Sequence, residues 1–508
     1  MIKAQKTKNK GYIYILEPFI IIMISTSYFT ITQKALFSYP DGWSDDIILT
    51  PEDNKNRGFG DLDVDCFNNV WVTWDTAILG NGTAEVLYRK IDSTGTIVTP
   101  ELNMSQNSTY SIQSLIVVDN NNKPHLIWRD QTAQGLGVWH GRLANDGSIL
   151  IPSHLCVAGT GDPGVSDIEI AIDNKQYIHV AWQEMYNSHE QMVYSKLDTL
   201  GNTIIEKIRV TPEECYAWWL GCGVDSFGNC HLATRTDTAT TSFRLTYSKI
   251  DKNGVIVIAN KVLTSGLHPS IVCDRSQNVH IVYYYLGSSW SKIAYIKLNQ
   301  NGDILVGPKN ISLPTIPTNL RPCLAIDSLQ NLHLVWQADD GSSCSIMYAK
   351  LDTVGDFIVT PYEIVGDPYV QYATYPRIAV DYRNRLHVIW TDTRSGVAED
   401  IYYKYTTGEI GIKDESRKKT TRLSLLKIYP NPFRSKTTIS GFSESMTTHC
   451  FMIYDVTGRI VKTISADKNA VVWDGSSNTG ESLPPGVYLI RYLRDKTLVT
   501  EKVIKFNN

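Results

Sequence analysis

Six of the eleven histidines occupy one position of an internal repeat, each a few residues after an aspartate. They are His125, His179, His231, His280, His333 and His387. Such a set could bind a metal ion, because imidazole is a common ligand of transition metals. A residue that recurs in repeat after repeat is instead typical of a structural hydrogen bond, since a catalytic or metal site needs residues that are unique. We therefore predict a structural role, no metal site and no cofactor.

A second group of residues combines aromatic with charged side chains and falls in the irregular segments between the repeated motifs. Its members are Arg129, Asp130, Glu184, Trp218, Trp219, Arg235, Asp237, Tyr284, Tyr285, Trp290, Asp392 and Arg394. Aromatic rings stack on flat ligand faces, while carboxylates and guanidinium groups bond hydroxyls. These residues predict a binding site for an extracellular glycan or protein, without catalysis.

Two alternatives to simple binding remain open. A glycoside hydrolase or lyase would use two carboxylates from Asp130, Glu184, Asp237 and Asp392, within about 10 Å of each other across one pocket. Its anionic sugar would be held by Arg129, Arg235, Arg321, Arg377 or Arg394. No G-x-S-x-G, H-E-x-x-H or G-x-x-x-x-G-K-[ST] motif occurs, which removes the easily recognised hydrolases, metalloproteases and P-loop enzymes. A structural or adhesive surface protein is the other alternative, and it predicts a loop face without a pocket.

The elements that position these residues are short strands in seven repeats. The repeats are marked by aspartates at intervals of 54, 54, 52, 49, 53 and 54 residues: Asp65, Asp119, Asp173, Asp225, Asp274, Asp327 and Asp381. In each, strand A ends at the aspartate, a polar turn leads to strand B with the histidine, and strands C and D follow a variable loop. Four antiparallel strands repeated seven times predict an all-β fold, a seven-bladed β-propeller over residues 43–408. Because the A–B and C–D turns are uniform, we expect ligands on the face with the B–C and D–A loops.

Other repeated residues have simple structural explanations. The aspartates are predicted to cap the A–B turns. The tryptophans of strand B are predicted to pack between blades, and they are Trp74, Trp128, Trp182, Trp336 and Trp390, replaced by Thr234 and Tyr283 in two repeats. Asp61, Asp63 and Asp65 alternate as half of a calcium site would, but they lack the glycine and the later acidic ligand of a calcium loop. The seventh repeat lacks strand D, and Asp46–Pro51 matches the missing sequence, so we predict that the N-terminal strand completes the last blade.

The repeats resemble those of sialidase-like and related bacterial surface propellers. Leu386–Trp390, which reads Leu-His-Val-Ile-Trp, and Ile401–Tyr403 carry the resemblance. It implies a propeller that acts on or binds extracellular material. The Asp-box consensus Ser-x-Asp-x-Gly-x-x-Trp of true sialidases and an Arg-Ile-Pro motif are both absent, which argues against sialidase activity.

The last 85 residues resemble a C-terminal sorting domain of the type IX secretion system. The resemblance is carried by Leu426–Phe433, Ile453–Arg459, Trp473–Gly475, Leu483–Ile490 and Lys502–Phe506. It implies an immunoglobulin-like β-sandwich over residues 424–508 that addresses the protein to an outer-membrane translocon, and hence a secreted or cell-surface location. A tail related to the flagellar hook-capping family is the alternative. The charged segment 409–423 is predicted to be a linker.

The N-terminal residues 1–35 are predicted to be a signal peptide. Four lysines precede an apolar run from Phe19 to Phe29, which is too short to span a bilayer but suits a signal-peptide core. The mature protein is then expected to have no transmembrane segment. An uncleaved anchor is the alternative.

Charge and cysteine content exclude further classes. Residues 43–408 carry 27 Lys and Arg against 40 Asp and Glu, so nucleic acid is not an expected partner. The nine cysteines include no C-x-x-C pair, which removes zinc ribbons and thioredoxin-like redox motifs. Cys222 and Cys230 flank one turn, and their pairing is left open.

Overall fold

A computed structural model describes residues 42–408 and 427–506 apart from short gaps, together with three strands before residue 23. The gaps are 52, 54, 78–82, 108, 133–134, 160–165, 239, 367–371, 395–397, 441–448, 456–459, 467–469 and 495–496. The N-terminal strands are β1 (Ala4–Lys6), β2 (Tyr12–Leu16) and β3 (Phe19–Ile22), which pair in that order. Most of the predicted signal peptide and the whole predicted linker lie outside the described residues.

The body of the protein is seven four-stranded antiparallel sheets, as the repeats predict. Each of blades one to six pairs four consecutive strands. Blade one consists of β5 (Asn56–Val64), β6 (Val70–Ala77), β7 (Ala84–Ile91) and β8 (Leu102–Asn103). Blade two consists of β9 (Ile112–Val118), β10 (Pro124–Thr132), β11 (Gly135–Leu143) and β12 (Ile149–Ala158). Blade three consists of β13 (Ser166–Ile172), β14 (Ile178–Tyr186), β15 (His189–Leu197) and β16 (Thr203–Arg209). Blade four consists of β17 (Tyr216–Val224), β18 (Cys230–Asp237), β19 (Arg244–Ile250) and β20 (Ile256–Ser265). Blade five consists of β21 (Leu267–Cys273), β22 (Val279–Leu286), β23 (Ser291–Leu298) and β24 (Ile304–Asn310). Blade six consists of β25 (Thr318–Ile326), β26 (Leu332–Asp339), β27 (Cys344–Leu351) and β28 (Phe357–Val365).

The seventh blade joins the two ends of the propeller. Its strands are β29 (Thr374–Val380), β30 (Leu386–Asp392), β31 (Asp400–Tyr405) and the N-terminal β4 (Ile47–Ile48). In β4, Ile48 pairs with Tyr402 and Ile47 pairs with Tyr403. Closure of this kind covers the strand edge that an open seventh blade would expose.

The core lies between neighbouring blades. The strand B tryptophans are at most 1% exposed, and each belongs to an apolar cluster that also contains residues of the preceding blade. Trp336, for example, shares a cluster with Tyr295 of blade five. Burial of this kind confirms the predicted packing role, and truncating such a tryptophan to alanine costs about 3–5 kcal/mol in typical proteins.

The end of each blade that carries the A–B turn is built from repeated polar side chains. In all seven blades the aspartate Oδ1 accepts the backbone N–H groups two and four residues further on, which confirms the predicted cap. In blade six, Asp327 Oδ2 lies 3.1 Å from His333 Nε2, and His333 Nδ1 lies 2.8 Å from the Tyr348 hydroxyl. This Asp–His–Tyr motif occurs in blades three to seven and confirms the structural role of the histidines.

The acidic segment Asp61–Asp65 is explained without a cation. Asp61 accepts the Ile116 N–H, Asp63 accepts those of Val64 and Val118, and Asp65 caps its turn. Segments with bonded carboxylates of this kind tie blade one to blade two.

The C-terminal unit consists of two sheets. Its strands are β32 (Lys427–Tyr429), β33 (Thr437–Ser440), β34 (His449–Tyr454), β35 (Ile460–Ala466), β36 (Ala470–Trp473), β37 (Gly486–Arg494) and β38 (Thr497–Lys505), paired as β32-β33-β36 and β35-β34-β37-β38. The chain forms two compact units, Met1–Ile412 and Lys413–Asn508. Buried Trp473 stands 5.3 Å from the Phe433 ring and 5.4 Å from the Tyr488 ring, and these three residues belong to the core of the unit. No helix in the part of the chain that the structure describes has the length and apolar character needed to cross a lipid bilayer.

Candidate functional site

Each inner strand of the propeller carries a residue with positive φ at its start, beside a shift in its pairing with strand B. These seven residues, here called the mouth ring, are Phe59, Gln113, Asp167, Trp219, His268, Arg321 and Tyr375, with φ between 42° and 55°. Positive φ is uncommon for residues other than glycine. A bulge at this point changes the direction of the side chain. All seven line one cavity at the end of the central channel.

The mouth ring is the part of the repeat where no two blades agree. Its members stand six residues before the seven repeated aspartates, yet each has a different residue type. The cavity they surround has a volume of about 160 Å³ and opens to solvent, so part of a larger ligand could enter it. A specific binding site requires residues that differ from blade to blade, and the mouth ring provides them on a repeated scaffold.

Aromatic side chains extend from the cavity across blade four. The His189 and Tyr216 rings lie 4.4 Å apart, and the Tyr216 and Trp218 rings stack at 5.5 Å with an interplanar angle of 7°. The Arg235 guanidinium lies 4.8 Å from the Trp218 ring and 5.2 Å from the Trp219 ring. Arg235 therefore joins the outer aromatic pair to the mouth ring.

At the mouth the aromatic row continues into blade five. Trp219 stacks on His268 at 4.4 Å and 20°, and His268 stacks on Tyr284 at 5.5 Å and 22°. Burial lowers the pKa of His268 to about 3, with the nearby charges of Arg321, Arg377 and Arg235 acting in the same direction. His268 is thus a neutral ring at physiological pH, able to stack and to hydrogen-bond.

Arg321 supplies a cationic group at the mouth. Its guanidinium lies 3.9 Å from the Tyr375 ring, and it donates to the Gln337 side-chain oxygen at 2.9 Å and to the Tyr375 hydroxyl at 3.0 Å. Both hydrogen-bond partners are neutral. Among the described residues no carboxylate lies within ion-pair distance of Arg321, so its charge is not neutralised by a direct contact.

Below the mouth, the channel wall holds a cluster of charges. Arg377 Nη2 lies 3.2 Å from Glu169 Oε1, and the positive charge of Arg377 also acts on Asp61. Burial raises the pKa of both Glu169 and Asp61, and the arginine opposes the rise. Burial lowers the pKa of Arg377, but the two carboxylates outweigh it and raise the pKa above its ordinary value.

Asp167 is the acidic member of the mouth ring. Burial raises its pKa, while the Trp219 backbone N–H and the charge of Arg129 act to lower it. Arg129, predicted from the sequence as a site residue, is therefore electrostatically coupled to the mouth.

Five of the predicted site residues meet in or beside the aromatic row. Trp218, Trp219, Arg235 and Tyr284 make the contacts given above. Asp237 lies beneath them, because it forms an ion pair with Arg235 and accepts the Phe243 backbone N–H at 2.7 Å. Asp237 orients Arg235 and does not present a free carboxylate.

Three predicted carboxylates serve their own blades instead. Asp130, Glu184 and Asp392 are at most 1% exposed and accept the indole N–H of the strand B tryptophan two residues earlier, at 3.3, 3.0 and 3.1 Å. Glu184 also pairs with Lys207 at 2.8 Å, and Asp392 with Arg394. We assign these residues a structural role, since their oxygens are bonded within the blade.

The remaining predicted residues lie apart from the mouth ring. Arg394 pairs with Asp46 at 2.7 Å and with Asp392. Tyr285 faces the opposite side of its strand from Tyr284 and makes an edge contact with Trp290 at 5.5 Å. Trp290 is 40% exposed and has no described contact with the mouth ring.

Four mouth-ring residues were not predicted from the sequence: Phe59, Gln113, Asp167 and His268. They stand at the start of strand A and not in a loop, so the expectation that ligand contacts lie in the B–C and D–A loops did not include them. Alignment of the repeats on their aspartates reveals them, because six residues upstream every repeat differs. None of the described groups with metal-ligand spacing lies at the mouth.

Comparison with known proteins identifies the C-terminal unit. Residues 427–506 match the family described as the secretion system C-terminal sorting domain. The match confirms the resemblance seen in the sequence. The protein is a cargo of the type IX secretion system, secreted or carried on the outer-membrane surface.

Three solved structures share similarity with the body of the chain. A protein of unknown function from Dyadobacter fermentans DSM 18053 is 9% identical, with a TM-score of 0.46 over 72% of this chain and 99% of its own. A PL25 ulvan lyase is 10% identical, with a TM-score of 0.48 over 70% of this chain and 95% of its own. A fungal alcohol oxidase of the AA5 family, in complex with copper, is 11% identical, with a TM-score of 0.48 over 91% of this chain and 99% of its own. No curated protein matches the sequence.

Proposed function

We propose that this exported propeller binds an acidic polysaccharide at the mouth ring, without cleaving it. The observation that carries the proposal is Arg321, a guanidinium at the cavity whose bonded partners are the neutral side chains of Gln337 and Tyr375. A planar guanidinium recognises a carboxylate or sulfate through two parallel hydrogen bonds. An anionic group on the ligand would therefore be bound by an arginine that forms no ion pair with any described carboxylate.

The aromatic row supports a sugar polymer as the carrier of that charge. Its rings run from His189 to Tyr284 and could stack on several successive sugars. The cavity also disfavours a purely structural role, which predicted a face without a pocket.

Binding to a panel of uronate-bearing, sulfated and neutral polysaccharides tests the proposal. The full chain should bind at least one acidic polymer, with affinity that falls as salt rises. Arg321→Ala should weaken binding by about 30-fold, since a central arginine contact is worth about 2 kcal/mol. Arg383→Ala is the matched control, because it removes the same charge from an exposed A–B turn at the other end of a blade. Equal affinity of the two variants, or preference for neutral polymers, would contradict the proposal.

Cleavage of the polysaccharide is the second candidate function. The observation that favours it is the pair of channel carboxyls, Asp61 and Glu169, which converge on Arg377 and have raised pKa values because they are buried. A carboxyl whose pKa is raised by burial can act as a general acid. Incubation with the bound polymer, followed by chain-length analysis, should show shortening that Glu169→Gln abolishes if this candidate is correct.

Export is proposed to depend on a separable C-terminal domain. Deletion of residues 424–508 should leave a folded propeller that accumulates in the periplasm, while fusion of those residues to an unrelated periplasmic protein should carry it to the surface of a host with the type IX machinery. Normal surface levels of the truncated protein would contradict this.

A further inference from the structure

Blade two departs from the repeat at the position of the motif tyrosine. In blades three to seven a tyrosine hydroxyl bonds the Nδ1 atom of the repeated histidine. In blade two that tyrosine is replaced by His140, whose Nε2 lies 3.0 Å from His125 Nδ1. The neighbouring strand β12 places His154 opposite His140, with Cys156 two residues further on.

The hydrogen bonds of the two histidines fix which nitrogen atoms are free. His125 donates from Nε2 to the Asp119 carboxylate at 3.3 Å, so its Nδ1 accepts a hydrogen bond from the His140 Nε2–H. His140 Nδ1 is left as an unprotonated, buried atom that has no hydrogen-bond partner among the described residues. His154 Nδ1 faces the Pro152 carbonyl oxygen at 3.1 Å, which can only accept, so His154 Nε2 is also unprotonated.

The two free nitrogen atoms converge on a gap beside Gly201. A Cβ atom at residue 201 would lie 2.5 Å from both His140 Nδ1 and His154 Nε2. Gly201 belongs to the C–D turn of blade three and has a φ of 83°, so this turn needs glycine for its backbone as well. One ring nitrogen of His140, one of His154 and the Cys156 sulfur all lie within 4.8 Å of one another.

We propose that His140, His154 and Cys156 form a binding site for Zn²⁺. Imidazole nitrogen and thiolate sulfur are both ligands that bind Zn²⁺ in proteins, with bonds of about 2.0–2.3 Å. The Asp119–His125–His140 chain of hydrogen bonds orients one ligand, as a carboxylate does for many zinc-bound histidines. His140 is fully buried whereas His154 and Cys156 are partly exposed, which leaves room for water as a fourth ligand.

Zinc binding at this site is balanced by the loss of one proton. Each histidine binds through a ring nitrogen that carries no proton in the hydrogen-bond pattern described above. The Cys156 S–H proton passes to solvent as the Zn–S bond forms. The site lies in the half of blade two that carries the C–D turn, away from the mouth ring.

The His140→Tyr variant provides a sharp test, because it restores the residue that six other blades carry at this position. Metal-free full chain should bind one equivalent of Zn²⁺ in calorimetric titration and release about one proton, measured in buffers of different ionisation enthalpy. His140→Tyr, His154→Ala and Cys156→Ser should each weaken binding by more than about 100-fold, since loss of a mere supporting partner already costs 10–100-fold. Cys66→Ser, at an exposed cysteine in blade one, is the matched control and should bind as the unaltered protein does.

Two further readings separate a site from adventitious binding. Co²⁺ in place of Zn²⁺ should give thiolate-to-metal absorption that Cys156→Ser removes, and Zn²⁺ should raise the melting temperature of the unaltered chain but not of His140→Tyr. Absence of tight binding, or ligand variants that bind Zn²⁺ as tightly as the unaltered protein does, would overturn the proposal.

Discussion

The two ends of strand A follow opposite rules. At the A–B turn the blades repeat one device, an aspartate that caps the turn and bonds a histidine or, in blade one, Trp71. Six residues earlier, about 20 Å along the strand, the seven mouth-ring residues are all different. Repetition marks the end that holds the propeller together, and variation marks the end that can recognise a ligand.

The largest expected effect comes from breaking the repeated end. Asp327→Ala removes a carboxylate that accepts two backbone N–H groups and the His333 Nε2–H. Burial raises the pKa of Asp327, but these hydrogen bonds outweigh burial and lower the pKa to about 2. We expect a loss of about 3–5 kcal/mol in the free energy of unfolding, measured by denaturant titration.

Asp352→Ala is the matched control for that loss. Asp352 caps the exposed C–D turn of the same blade with the same two kinds of backbone bond but has no histidine partner. It should cost only about 1 kcal/mol. Equal costs at the two positions would mean that the histidine network adds nothing.

Substitution at the variable end should change binding and leave stability nearly unchanged. Trp219→Ala removes a stacking surface beside His268 and should weaken polysaccharide binding by about 30-fold, as central aromatic contacts do. Trp290→Ala, at an exposed tryptophan outside the mouth ring, is the control and should bind normally. Calorimetry would measure both, and the reverse order of effects would move the site to the Trp290 loop.

Substitution of the buried carboxylates at the end of strand B should lower stability and leave binding nearly unchanged. Glu184→Gln weakens the bonds with Lys207 and the Trp182 indole, so it should lower the free energy of unfolding by about 1 kcal/mol. Polysaccharide affinity should change by less than about twofold, within the error of additivity for independent sites. A selective loss of binding without loss of stability would return Glu184 to the site.

The smallest expected effect is on pH dependence. An exposed histidine with a pKa of 6.5 would gain positive charge between about pH 7.5 and pH 5 and would tighten binding of an anion. His268, whose pKa burial lowers to about 3, stays neutral over that range. His268 should therefore contribute nothing to any rise in affinity on acidification, and His268→Gln should leave the pH profile unchanged. A rise that His268→Gln removes would contradict the assigned pKa.

The sequence predicted the fold well because the same motif occurs in seven repeats. The aspartate caps its turn in all seven blades, and the histidine and the tryptophan have one structural role in most of them. The site was predicted only in part. Trp218, Trp219 and Arg235 lie in or beside variable segments. Asp130 and Glu184 were predicted as ligand contacts on the same ground, because the sequence does not reveal that an acidic residue near a tryptophan accepts its indole N–H.

Other features depended on contacts that single repeats do not show. His268 and Asp167 reach the mouth through bulges, and a bulge has no fixed sequence sign. The His140, His154 and Cys156 cluster needs two strands and the C–D turn of the next blade, so spacing along the chain could not indicate it.

A structure of the chain with a bound acidic oligosaccharide is the strongest test of ligand binding at the mouth ring. We expect a carboxylate or sulfate of the ligand to be bonded to the Arg321 guanidinium, with a sugar ring stacked on Trp219. A ligand bound elsewhere on the propeller, with the mouth ring untouched, would contradict it.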